Sequence, residues 1–238
     1  MRASLSKSKR RVSVNPPLHA AYRALFERFG PQHWWPAQSR FEMMIGAILT
    51  QNTAWTNVEK AIAELRKRRA LTPRALHAAP LATLAQWIRP AGYYNVKAKR
   101  LRAFTDWIVR DFGGSLARLF REPTESLRAK LLAVNGVGPE TADSILLYAA
   151  ERPVFVVDAY TRRVLERHGW AEGSESYDAI ASLFTHTLPR ETPLFNEYHA
   201  LIVQLGKEYC RAWPRCEECP LRCLLPEKGP ILRKHKKK

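Results

Sequence analysis

Helical periodicity interrupted by Pro and Gly constrains this chain more than any other feature. Apolar residues recur at intervals of three and four within segments of 10–18 residues, period-two alternation is almost absent, and Pro or Gly separates one segment from the next. The pattern predicts an all-α chain with helices over 17–29, 39–51, 54–68, 73–78, 81–89, 95–112, 116–120, 124–134, 139–150, 159–168, 176–188 and 193–208. In the first, Leu18, Tyr22, Leu25, Phe26 and Phe29 share a face and Gly30 ends the run. Thr72-Pro73 places a capping hydroxyl before a proline at the first helical position, and Thr124 is expected to cap SLRAKLLAV. The run VFVV at 154–157 reads as an extended connection rather than a strand. No repeat of solenoid period occurs.

Composition narrows the class. Hydrophobic residues at 46% and seven Trp suffice for a core in 238 residues, so general disorder is excluded. The longest apolar stretches, such as MMIGAIL at 43–49, fall far short of the ~20 residues a bilayer span needs, and no membrane partner is expected. Thirty-nine Lys and Arg against 22 Asp and Glu give a net charge of +17, and eleven of those charges lie in residues 2–11 and 228–238, where there is no acid. Basic tails on a mildly basic body point to a polyanion, most commonly nucleic acid, with the tails as a salt-sensitive, sequence-independent tether. The start MRASLSKSKRR has no apolar stretch, so no secretory signal is expected.

Residues 127–150, LRAKLLAVNGVGPETADSILLYAA, hold two helical runs around a turn at Asn135–Pro139. Gly136 and Gly138 are expected to adopt backbone geometry closed to other residues and to bare amide N–H groups beside the N-terminus of the second run, with Val137 packing inward. Such a seat suits a DNA phosphate, held through backbone donors without reading sequence. Asp158 follows Glu140 by 18 residues, in VVDAYTRRVLERHG. It can cap the helix that starts at Ala159, and from there also face a bound sugar-phosphate, stabilising positive charge or activating a water.

All four cysteines, Cys210, Cys216, Cys219 and Cys223, fall within fourteen residues as C-x5-C-x2-C-x3-C. Disulfides are not expected without a secretory signal, and zinc and an iron–sulfur cluster both suit four thiolates. Lys207, Arg211, Arg215 and Arg222 surround them in sequence and would offset their charge, and Trp213 and Pro214 are expected to pack over the loop.

Taken in order, ILTQNT at 48–53, GYYNVKAKRL at 92–101, NGVGPETAD at 135–143, VVDAYTRRV at 156–164 and the cysteine loop after LGKEYC resemble the helix-hairpin-helix DNA glycosylases of the endonuclease III type. The resemblance spans about 18–226. It implies two helical domains: a six-helix domain over 37–149 carrying the hairpin at 127–150, and a domain of N- and C-terminal helices over 13–36 and 150–209. A [4Fe-4S] loop at 210–226 held by the four cysteines, and basic disordered tails at 1–12 and 227–238, complete the expectation. The implied partner is double-stranded DNA with a damaged base, bound by a monomer. The place of action is the cytoplasm, with the nucleoid, if the source is bacterial or archaeal.

By position, Gln51 matches the residue that fills the gap left by a flipped nucleotide, and Tyr93 and Tyr94 match the wedge on the opposite strand. Gly136, Val137, Gly138 and Thr141 match the DNA-binding hairpin, and Asp158 the shared catalytic carboxylate. Bifunctional members carry a lysine in the hairpin helix that forms a Schiff base; Glu140 stands there instead, which removes the lyase nucleophile and leaves Glu140 as a candidate for placing water. Hydrolysis without strong acid assistance suits a base already made cationic by alkylation. Trp34, Trp35 and Trp55 are candidates to hold it, as in the 3-methyladenine glycosylase branch. The rival readings are a bifunctional glycosylase for oxidised pyrimidines and a non-catalytic lesion-binding protein. The cysteine spacing is shorter in two intervals than the C-x6-C-x2-C-x5-C of endonuclease III.

Overall fold

The computed structural model describes residues 15–232, and the tails at 1–12 and 233–238 lie outside that range. Twelve α-helices follow one another among the described residues, with no strand. They are α1 (Leu18–Phe29), α2 (Arg40–Leu49), α3 (Trp55–Lys67), α4 (Pro73–Ala78), α5 (Leu81–Trp87), α6 (Tyr94–Phe112), α7 (Leu116–Leu119), α8 (Thr124–Leu132), α9 (Pro139–Ser144), α10 (Ala159–Arg167), α11 (Tyr177–Thr187) and α12 (Thr192–Glu208). No helix is long and apolar enough to cross a membrane among the described residues.

Local chemistry accounts for the boundaries. Ser39 Oγ accepts from Glu42 N at 3.1 Å to open α2, and Thr72 Oγ1 accepts from Ala75 N at 3.2 Å before Pro73. Thr124 does not cap α8: Leu127 N–H already bonds the Pro123 carbonyl at 2.9 Å, so the helix begins one residue earlier and Thr124 lies inside it. The helix expected over 139–150 is α-helical only to Ser144. Ile145–Ala149 continues as a π-helical segment, with Ala150 N–H bonding the Ile145 carbonyl at 3.0 Å. Residues 154–157 belong to no helix or strand, and Val157 N–H donates to the Tyr177 hydroxyl at 3.2 Å.

Two buried clusters carry the packing. One is built by α2, α3, α5, α6, α8 and the hairpin, around Met44, Ile48, Leu65, Leu101 and Phe104. The other joins α1 to α10, α11 and α12 around Leu25, Phe155, Phe184, Phe195 and Tyr198. Phe155 stacks on Phe184 with centroids 3.7 Å apart, and removing a ring so placed costs about 3–5 kcal/mol. Tyr148 and Val154 pack against both clusters, so the π-helical segment and the strand-like run after it connect them. Order continues past the tail boundary expected at 227: Ile231 N–H bonds the Arg167 carbonyl at 2.9 Å and its side chain lies against Gly169.

Candidate active site

The helices leave an open cleft of about 1000 Å³, lined from both clusters. It gathers Trp34, Trp35, Gln51, Trp55, Gly136, Val137, Gly138, Glu140, Thr141 and Asp158, residues separated by up to 124 positions in sequence. Of the site residues singled out in the sequence, Tyr93, Tyr94 and the cysteines lie elsewhere. Tyr93 precedes α6 with φ 45° and is 73% exposed; Tyr94 packs on the first cluster.

The hairpin turn delivers the backbone geometry at one glycine only. Gly136 has φ 87°, and a Cβ there would stand 2.3 Å from Arg100 Cγ, so both the left-handed backbone and the close approach of Arg100 require glycine. Gly138, at φ −93°, ψ 177°, is ordinary extended backbone, contrary to expectation. Nothing lies within 4 Å of where its Cβ would be, so its contribution is open space beside the start of α9. Val137 is 6% exposed and packs into the first cluster.

Gln51, in the turn after α2, is held against the hairpin. Its Nε2 donates to the Gly136 carbonyl at 3.0 Å and to Thr141 Oγ1 at 2.9 Å, and its Oε1 accepts from Arg100 Nη1. Nearby, the buried Lys97 Nζ donates to Leu49 O, Thr53 Oγ1 and Ala91 O at 2.8–2.9 Å, tying the Gln51 turn to the segment before Tyr93. The three tryptophans form one wall: Trp35 stands edge-on to Trp34 at 5.7 Å and to Trp55 at 4.9 Å. Trp35 and Trp55 pack on α2 at Gly46, where a Cβ would meet them at 3.6 and 3.7 Å, ordinary contact distances. Lys207 enters the same cleft, its Nζ 5.2 Å from the Trp34 ring centroid.

Asp158 caps α10, with Oδ1 accepting from Thr161 N at 2.7 Å. Its charge reaches Glu140. Although Glu140 is open to solvent, the cleft walls crowd it; that desolvation and then the Asp158 charge push its carboxyl up to about 7, against the pull of Arg162. The pair therefore combines a helix-capping carboxylate with one that exchanges its proton near neutrality.

The cysteine loop lies apart from the cleft. Cys210, Cys216 and Cys219 line one small cavity with Tyr209, Pro214 and Leu225, while Cys223 is exposed. Arg167 Nη1 donates to Cys210 Sγ at 3.2 Å and holds the loop backbone through Arg211 O at 2.6 Å and Ala212 O at 3.0 Å. Burial, and then the neighbouring thiols, push Cys219 up to about 11, a cost that a bound cation reverses. The donor set thus fits a thiolate-ligated centre in its chemistry. Among the described residues, however, no three His, Cys, Asp or Glu side chains are gathered closely enough to hold a metal ion. Trp213 does not pack over the loop; it is 86% exposed. Arg215 and Arg222 pair with Glu218 and Glu217 rather than with sulfur, so Arg167, on α10, supplies the direct positive contact.

A model of the family described as HhH-GPD superfamily base excision DNA repair protein matches residues 45–190, the stretch that holds the hairpin, Glu140 and Asp158. The chain belongs to the HhH-GPD superfamily. A Methanocaldococcus jannaschii protein, named provisionally as a DNA repair glycosylase, is 45% identical over 86% of this chain and 94% of its own. Endonuclease III of Bacillus subtilis is 29% identical over 79% of this chain and 81% of its own. Among solved structures, the H. pylori 3-methyladenine DNA glycosylase bound to 1,N6-ethenoadenine superposes with a TM-score of 0.69 at 30% identity, covering 80% of this chain and 97% of that one. An endonuclease III–DNA complex superposes with a TM-score of 0.77 at 24% identity over 90% and 96% of the two chains, a likeness of fold. The chain is thus a DNA glycosylase of endonuclease III-like, all-helical fold.

The glycosylase has functional candidates that the sequence did not reveal: Arg100, which holds Gln51, and His199 and Tyr148 behind Asp158. Arg100 lies within the motif GYYNVKAKRL, and His199 and Tyr148 carry no sequence signal beyond being polar groups on apolar helices.

Proposed function

We propose that the glycosylase is monofunctional and releases alkylated purines of the 3-methyladenine type from double-stranded DNA. One observation carries this reading: the Trp34–Trp35–Trp55 wall shares its cleft with Asp158 and with Glu140, where a bifunctional member would place its lysine. The likeness to the H. pylori 3-methyladenine glycosylase supports it. A cationic purine gains about 1–2 kcal/mol against aromatic faces in a desolvated pocket. It also needs little acid assistance to leave. As the C1′–N bond breaks, its electron pair neutralises the base, and the Asp158 carboxylate stabilises the positive charge left on the sugar. Water adds to C1′, and Glu140, its carboxyl raised toward neutrality by desolvation and the Asp158 charge, takes the proton in its ionised form.

Gln51 fills the space left by the flipped nucleotide after leaving its hairpin bonds, Tyr93 and Tyr94 wedge the opposite strand, and the Gly136–Thr141 turn seats a phosphate. Cys210, Cys216, Cys219 and Cys223 would hold a [4Fe-4S] cluster, which when bound fixes the loop and presents its basic residues.

Lys207 favours one other reading, since a lysine lining the cleft offers an amine for a Schiff base. Borohydride trapping on abasic-site DNA separates the two. The monofunctional reading predicts no efficient covalent complex; efficient trapping that Lys207→Met abolishes would establish a lyase.

A further inference from the structure

The two oxygens of Asp158 are treated differently. Oδ1 is fixed by Thr161 N–H, whereas Oδ2 faces Nε2 of His199 at 3.8 Å. His199 lies on α12, 5% exposed, and its Nε2 is buried without a hydrogen-bond partner. Its other nitrogen, Nδ1, is engaged by the Tyr148 hydroxyl at 2.5 Å. Tyr148 belongs to the π-helical segment, and its ring also meets Trp35 of the aromatic wall at 5.4 Å. A continuous contact therefore runs from the base pocket through Tyr148 and His199 to Asp158.

The protons on this chain can be assigned from electrostatics. Burial, followed by Asp158 and Glu197, raises the Tyr148 phenol well above its ordinary range, so it keeps its proton and can donate it to Nδ1. Burial holds the His199 imidazole below its ordinary value, with Asp158 pulling it up, so it is neutral near pH 7. A neutral imidazole that accepts at Nδ1 carries its hydrogen on Nε2. The opposite tautomer would turn a lone pair toward a carboxylate in a dry setting. A water bonded to both atoms at tetrahedral geometry would hold them about 4.5 Å apart, so the 3.8 Å gap suits direct closure by rotation of the carboxylate. Besides these residues, Glu140 on α9, Arg162 on α10, Tyr177 on α11 and Lys207 on α12 line the cleft at this end.

We propose that His199 is a positioning residue for Asp158: locked by Tyr148 with its proton on Nε2, it donates to Oδ2 and fixes the carboxylate toward the sugar. The inference rests on Asp158 as the charge-stabilising carboxylate. Because Tyr148 also touches Trp35, a base seated against the wall bears on the same chain of contacts.

Two experiments on the full chain test it. Single-turnover release of 3-methyladenine and 7-methylguanine from methylated duplex DNA is measured over roughly pH 5–9 for the wild type, His199→Phe, His199→Gln, Tyr148→Phe and Asp158→Asn. His199→Phe is expected to slow release about tenfold or more and to move the acid limb to higher pH, because Asp158 loses a donor that favours its ionised form. His199→Gln, whose amide can donate from a similar place, is expected to restore most of the rate. Tyr148→Phe, with Nδ1 unpinned, is expected to fall between. If His199→Phe matches the wild type in rate and acid limb while Asp158→Asn is inactive, the His199 role is overturned and Asp158 keeps its own; if Asp158→Asn releases base normally, the underlying reading fails instead.

The second experiment needs no substrate. Nitrogen-15 NMR of the imidazoles, with the His199 signal identified by its loss in His199→Gln, should show a neutral Nε2–H tautomer that shifts in Asp158→Asn. An Nδ1–H tautomer, or a signal indifferent to Asp158→Asn, would overturn the proposal even if no methylated base were released.

Discussion

The side-chain amide of Gln51 donates to the backbone carbonyl of Gly136 at 3.0 Å, so the residue proposed to enter the duplex is held on the turn proposed to seat a phosphate. Thr141 and Arg100 complete its partners. Entry into DNA must exchange these bonds for bonds to the orphaned base. Gln51→Ala should therefore slow base release from duplex DNA while lowering stability by only about 0.5–1.5 kcal/mol per bond lost. A stability loss with an unchanged duplex rate would show that Gln51 serves the hairpin alone.

Arg128 on α8 forks over the Asp143 carboxylate of α9 at 2.7 and 3.1 Å and reaches Asp178 on α11 at 2.7 Å. Burial pushes the Asp143 carboxyl up against the pull of Arg128, so removing the guanidinium strands a buried acid behind the hairpin. Arg128→Met should cost about 3–5 kcal/mol in urea unfolding, and Arg128→Met with Asp143→Leu should recover much of it. Equal losses in the single and double variants would contradict this account of the pair.

Glu140 makes stability depend on pH with an unusual sign. Its folded value of about 7 lies above the ordinary 4.5, so between them the folded state holds more protons than the unfolded state. The stability it contributes is present below that window and is lost as pH rises through it. Relative to the wild type, Glu140→Gln should gain stability as pH rises over this interval and hold the gain above it. Unfolding stabilities that remain parallel across the interval would show that the cleft leaves the Glu140 carboxyl unshifted.

The cysteine loop gives a spectroscopic prediction. Purified without chelators or oxidants, the glycosylase should be brown, with broad blue-end visible absorbance and bound iron, and Cys219→Ser should lose both. A colourless protein loaded with zinc would contradict the cluster assignment.

The helices were legible because each carries its own periodicity and punctuation. Thr72 was readable as a cap because Pro73 fixes the first turn, and Thr124 misled because Pro123 opens α8 before it. Asp158 and Glu140 were legible as chain-local motif residues, and the structure brings both to one cleft with the three tryptophans. The Tyr148–His199 contact was not legible: its members are 51 residues apart, and each looks like an ordinary polar interruption of an apolar helix. The backbone of Gly138 was not legible because sequence cannot distinguish a glycine needed for positive φ from one that stands in open space.

The most direct test of the central claim is a release assay on duplexes carrying 3-methyladenine, 7-methylguanine, thymine glycol or uracil, scored for both free base and strand scission. The account predicts release of methylated purine with the abasic strand left intact, and loss of that release in Asp158→Asn. Release of thymine glycol accompanied by strand cleavage, with the methylated purines untouched, would contradict it.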